Sequence, residues 1–392
     1  MNKKTLSAPP VQPATSTARR WQRFLPLGLT CSLPQLLRAE NHVDYRYGYY
    51  DETGDRMKIE THSVYFEQKL IDSVTAKGEL TYDGVSGATP RGTHNWVDDG
   101  TGNGTLKADA IKKGHMWDLR RAESLELDCR LYNHTLTPGY SHSEEHDYKS
   151  DGISLNDAIE FNDKNTILQL GLSHNFDSVS KTGSDVWHEK NSTEAIIGIS
   201  QLLTPKDIFN VAFTFGNDSG FLNDAYRKAE YYDSGAGFGV AIDEVRPAHR
   251  NKEVLFTSLT HHFNSLDASL EASYRYYHDS YGVSSHTTGL AWHQWLGKHF
   301  IFEPFARFGY QTAASFYSPL LTDTLPTFYS SDYRLSELYT TDIGVQFTAV
   351  ITDHLRAVAG YHRYEMNGLD HVTSPEMYPK ANVFSVGLSI LW

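Results

Sequence analysis

Histidine and carboxylate side chains crowd one stretch of the chain, His142-Ser-Glu-Glu-His146 followed by Asp147 and Asp151. Two histidines beside two glutamates suggest a metal pair, but the order is not the His-Glu-x-x-His arrangement that places two imidazoles on one helix face. On a strand, side chains four positions apart point the same way and stand roughly 13 Å apart, so one ion reaches both only if the chain turns there. Glu144, Glu145, Asp147 and Asp151 form an oxygen-rich group of the kind that holds Ca²⁺, without the Asp-x-Asp-x-Asp-Gly spacing of a dedicated loop. The competing reading is a solvated acidic loop that bridges divalent ions to a lipopolysaccharide leaflet. His261 and His262 are adjacent, so a regular strand turns them to opposite faces.

A second pattern is a series of charges of both signs at period two. Asp118, Arg120, Glu126, Asp128 and Arg130 share one parity, and Lys77 and Glu79 stand on the preceding segment. Glu271 with Arg275, and Glu303 with Arg307, repeat the combination later in the chain. Such residues suit either the lining of a water-filled constriction or a ladder of ion pairs that closes a lumen. Arg121 and Glu123 take the opposite parity, where they snorkel to an interface or pair with each other. Ser, His and Asp are plentiful, yet no spacing singles out a nucleophile with its base. No glycine-rich phosphate loop runs from a strand into a helix. The expectation is a protein without a cofactor and without catalytic activity, an outer-membrane hydrolase being the residual enzymatic reading.

The elements that position these charges read as strands. After residue 40, apolar residues recur at period two over segments of about ten residues, the length of a tilted membrane strand. Val74, Ala76, Gly78, Leu80 and Tyr82 alternate with polar neighbours; so do Phe209 to Phe215, Leu266 to Tyr276 and Ile343 to Ala349. Connections alternate in length. Short turns at 70–73, 132–134, 203–207, 263–266, 296–299 and 351–353 separate long polar stretches at 84–115, 217–250, 313–336 and 366–379. The expected fold is all-β, a transmembrane antiparallel up-and-down barrel of about 16 strands (14–18), with short periplasmic turns and long extracellular loops. Segments 56–69, 152–162 and 191–203 alternate poorly. Closure follows physically, because an open edge in lipid leaves backbone groups unpaired at several kcal/mol each.

Composition agrees. The chain has 24 Tyr, 19 Phe and 7 Trp, rings suited to interfacial girdles. Beyond the N-terminus, no run of about 18 apolar residues offers a spanning helix. Residues 1–39 carry six basic residues (Lys3, Lys4, Arg19, Arg20, Arg23, Arg38) and no acidic one, and 24–37 is a short apolar stretch ending near Ala39. This reads as a signal peptide over 1–39 and a barrel over 40–392. Removing the leader leaves 48 acidic residues against 29 basic ones, a balance of −19, which argues against nucleic acid and favours cations. Cys31 falls in the leader, so Cys129 is left without a disulfide partner. At the other end Phe384, Val386, Leu388, Ile390 and Trp392 alternate without a break to the terminal aromatic residue, which resembles the assembly signal of bacterial outer-membrane barrels.

Asp83-Gly-Val-Ser-Gly-Ala-Thr-Pro90 is one distinctive stretch. The other runs from Asp118-Leu-Arg-Arg-Ala122 through Tyr140-Ser-His-Ser-Glu-Glu-His-Asp-Tyr-Lys-Ser150 to Asn165-Thr166 and Phe176-Asp177. With the terminal strand they resemble the bacterial family catalogued as domain of unknown function 3570, over most of residues 40–392. The resemblance implies an outer-membrane barrel and no activity. The chain departs from the pattern by long insertions at 217–250 and 313–336.

Two functions stand as expectations. One is a porin-like channel in the bacterial outer membrane for small solutes, cations among them. The other is a structural or partner-binding barrel, a sheath or scaffold for another envelope protein, with a closed, ion-paired lumen. Expected partners are outer-membrane lipid, the barrel-assembly machinery and an envelope lipoprotein or other protein.

Overall fold

The computed structural model describes residues 41–90, 95–98, 104–107, 113–181, 184–233, 238–322 and 324–392. The segment read as a signal peptide lies outside the described residues. Sixteen strands close into one antiparallel barrel, each paired with its neighbours in chain order. They are β1 (His42–Glu52), β2 (Lys58–Ile71), β3 (Val74–Pro90), β4 (Lys113–Leu131), β5 (His134–Glu144), β6 (Tyr148–Phe161), β7 (Thr166–Ser180), β8 (Trp187–Thr204), β9 (Asp207–Gly220), β10 (His249–Phe263), β11 (Ala268–Asp279), β12 (Ser284–Leu296), β13 (Phe300–Gln311), β14 (Leu338–Thr352), β15 (Leu355–Gly368) and β16 (Lys380–Leu391). The seam is β1 on β16, in register from His42 opposite Leu391 to Glu52 opposite Ala381.

Period two sorts the side chains. On β3, Leu80 and Tyr82 face outward at 56% and 45% exposure, while Lys77 and Asp83 face inward and are buried. Leu172, Ile343 and Ile390 belong to the same outer band, which runs around the wall. An apolar belt of that extent has no counterpart on a water-bathed surface. The inner wall is polar and charged, and closure leaves no strand edge unpaired.

The two ends differ. At one end the connections are tight turns, and residues there take the left-handed conformation: Tyr132 (φ 55°), Asn162, Asp163, Lys164, Asp267 and Gly297. At the other end lie the long connections 91–112, 221–248, 312–337 and 369–379. Four more connections at that end, 53–57, 145–147, 181–186 and 280–283, are short, so the alternation of lengths read from the sequence holds at one end and only in part at the other. The strands read as poorly alternating are strands nonetheless, and several run past their expected ends; β3 continues to Pro90.

The buried apolar residues are not a central core. Two clusters of them lie at the long-loop end of the lumen, and others, Ile167 and Ile301 among them, are scattered along the wall. In one, Tyr333, Met377 and Tyr378 from the loops cover Tyr50, Ile59, Tyr364, Met366 and Val383 of the wall. In the other, Leu335 and Ala314 pack on Tyr281 and Val283.

Candidate functional site

The site is the inner wall together with the loops folded into its long-loop mouth. Strand parity brings the charges inward and register pairs them. Lys77 of β3 is bonded to Asp128 of β4, which also accepts from the Thr137 hydroxyl at 2.8 Å. Glu126 stands opposite Lys77 in register, and Glu79 accepts from Thr81. Arg120 grips Asp83 through Nε at 2.7 Å and through a second guanidinium nitrogen. Arg130 shares their face and is exposed at the short-turn end. Farther round, Glu303 accepts from His293 Nδ1 at 2.7 Å and from Gln346 at 2.8 Å, and Arg307 Nη2 meets Asp342 at 2.8 Å. Arg275 stacks over the Tyr277 ring, and Glu271 lies on the same face of β11. The candidate lumen residues therefore all lie on the inner wall, most of them engaged with a partner. Arg121 and Glu123 are exposed on the outer face; Arg121 lies opposite Glu144.

The acidic group read as one cluster divides between the two faces of the wall. Glu144 and Asp151 stand on the outer face, where Glu144 pairs with Lys149 at 2.8 Å and Asp151 accepts from Tyr140 Oη at 2.7 Å and His142 Nδ1 at 3.0 Å. Glu145 and Asp147 turn to the lumen side and meet Asp118, with ligand oxygens all within 4.8 Å of one another. This is the one group among the described residues whose spacing suits oxygen ligation of a divalent cation. Burial pushes the Glu145 carboxyl up to about 7; Arg120 opposes the shift, and Asp118, Asp147 and Asp83 add to it. Asp147 is raised too, chiefly by burial, against the hydrogen bond it receives from Tyr226. His261 and His262 turn to opposite faces, toward Asp207 and Ser269 respectively.

Sequence reasoning missed the mouth. The stretches 217–250 and 313–336, read as polar loops, hold a buried ion network. Arg246 binds Glu244 Oε1 at 2.7 Å and Asp332 Oδ2 at 2.9 Å, and Arg334 binds both Asp332 and Asp224. Burial opposes ionisation of Asp332, but the Arg334 and Arg246 guanidiniums outweigh it and hold the carboxyl well below its ordinary range. Burial raises Glu244, with Arg246 in opposition. Asp332 also caps the turn Tyr333–Leu335 by accepting from the Arg334 amide. The available signal was the presence of paired charges and aromatic residues in segments too long for plain turns.

A family model described as "Protein of unknown function (DUF3570)" matches residues 29–188 and 184–389. No curated protein matches the chain. Among solved structures, CdiB from Acinetobacter baumannii is similar at a TM-score of 0.51 and 9% identity, over 91% of this chain and 61% of that one. A bacterial polysaccharide outer membrane secretin follows at 0.48 and 11%, over 91% of this chain and 99% of that one. The siderophore receptor PirA from Pseudomonas aeruginosa follows at 0.44 and 8%, over 90% and 61%. The chain thus spans about three fifths of CdiB and of the receptor. At 9% identity the property shared with CdiB is the fold, a closed β-barrel of the outer-membrane kind.

Proposed function

This chain belongs to the family of proteins of unknown function DUF3570, and on that premise we propose that it is a porin-like channel of the bacterial outer membrane for small solutes, cations favoured. The observation that carries the reading is the closed sixteen-strand wall with a charged inner face. Side chains fill a barrel of about eight strands, whereas one of about sixteen leaves an aqueous interior. The apolar outer band supports placement in lipid. The acidic balance and the carboxylates Asp118, Glu145 and Asp147 at the long-loop mouth support a preference for cations. Residues 1–39 serve as the export signal in this reading. The wall is inserted by the barrel-assembly machinery through Phe384, Val386, Leu388, Ile390 and Trp392, and the protein is not an enzyme.

One observation favours a second reading. The ion network of Asp224, Glu244, Arg246, Asp332 and Arg334 ties two long loops together at the mouth, which suits a structural or partner-binding barrel with a closed lumen. Such a barrel would present the long loops to an envelope lipoprotein or another protein. Single-channel conductance of the refolded protein in planar bilayers, under a salt gradient, separates the two. Steady cation-selective steps that lose selectivity in Glu126→Gln/Asp128→Asn support the channel. Silence from protein that is folded and heat-modifiable on gels overturns it in favour of the closed barrel.

A further inference from the structure

The two longest described loops are one piece. Lys228–Asp233 pairs antiparallel with Phe238–Asp243, and through Tyr231 and Tyr232 it pairs in parallel with Leu321 and Thr322. A bridge between Val245 and Tyr329 continues the joint, one between Tyr317 and Ser330 folds the second loop on itself, and the Arg246 and Arg334 ion pairs fill the joint. The piece touches the wall at widely separated places. Tyr333 sits among Tyr50, Tyr364 and Tyr378, beside the seam, and Leu335 sits on Tyr281 and Val283 at the β11–β12 connection. Phe221 stacks on His188 of β8 at 4.5 Å. On β4, the fourth strand from the seam, Tyr226 finds its partners: its hydroxyl donates to Asp118 at 3.4 Å and to Asp147 in the β5–β6 connection.

These attachments are unequal. Tyr333 and Leu335 are buried in apolar pockets, a kind of contact that resists withdrawal in proportion to its area. The Tyr226 end is a hydroxyl held by carboxylates that crowd one another. We infer that the joined loops form a hinged cover over the lumen, which opens by release of Tyr226 from Asp118 and Asp147 while Tyr333 and Leu335 stay seated. Its role as a regulator of permeation rests on the channel reading above.

The test is amide hydrogen exchange on the full-length refolded protein, wild type against Tyr226→Phe, with planar-bilayer conductance run in parallel. Losing a hydrogen bond to charged acceptors accelerates exchange across 221–233 by about tenfold or more, with the amides of 333–336 and of the barrel strands unchanged. Asp147→Ala, which removes an acceptor from the wall side, gives the same pattern and guards against a defect peculiar to the first variant. A faster 221–233 together with longer open times supports both the cover and the channel. A faster 221–233 in protein that never conducts supports the cover and overturns the channel. Unchanged exchange in both variants, or acceleration that extends equally to 333–336, overturns the hinged cover.

Discussion

Glu145 illustrates how much a single residue's setting departs from its sequence. In the chain it is one of four neighbouring acids; in the fold it faces the lumen while Glu144, the last residue of β5, faces outward, as alternation from Glu144 to its neighbour requires. Burial lifts its carboxyl from 4.5 to about 7 in the covered state. A raised carboxyl pKa means that this state holds the proton more tightly than one in which Glu145 is hydrated. The covered state is therefore favoured most at low pH and loses stability as pH rises from about 4.5 to about 7, with no further change above. Exchange across 221–233, corrected for intrinsic rates, is expected to speed up through that window and to lose the dependence in Glu145→Gln. Arg334 supplies a second prediction. Asp332 is 2% exposed and holds two guanidiniums, so Arg334→Ala removes one of them, leaves Arg246, and destabilises the cover by about 1–3 kcal/mol, read as proteolytic nicking within 221–248 of an otherwise heat-modifiable barrel. Neither effect was legible beforehand, since which loop charges meet depends on pairings between segments about a hundred residues apart.

At the scale of elements the sequence was far more explicit. Outward residues must be apolar and inward ones need only tolerate water, so strands such as β3 and β9 declare themselves by contrast. The contrast fades where the inner wall is built from small or apolar residues: β8 carries Ile196, Gly198 and Leu202 inward, and its segment alternates poorly for that reason. β6 fades similarly, with Gly152 and Ala158 inward. Gly152 has a packing role, because a Cβ there would collide with the Ser141 hydroxyl and the Asn175 amide oxygen on the flanking strands. Gly152→Val is expected to lower barrel stability by about 1–3 kcal/mol, measured as a fall in the denaturant midpoint with the slope unchanged. The charged ladder was legible as a face but not as pairs. Parity places Asp118 and Arg120 inward, whereas the choice of Asp83 for Arg120 and of Tyr226 for Asp118 follows from register and from loop folding.

For the whole molecule, the closed sheet was foreseeable from strand number and terminal pattern, and the joining of two loops at its mouth was not, because loops without periodicity give no signal of where they fold. Closure makes each strand necessary. Deleting 380–392 deprives β1 and β15 of their partners together, and the expected result is complete loss of the heat-modifiable form rather than a smaller barrel. The seam carries a further consequence. The Trp392 amide donates to the Asn41 carbonyl, and His42 lies opposite Leu391, so the first and last described residues stand side by side at the short-turn end. The wall itself does not distinguish this junction from its other hairpins. A circular permutant that joins 392 to 41 by a short linker and opens the chain within 369–379 would present the same sixteen strands in the same cyclic order, with both new ends at the long-loop end of the barrel.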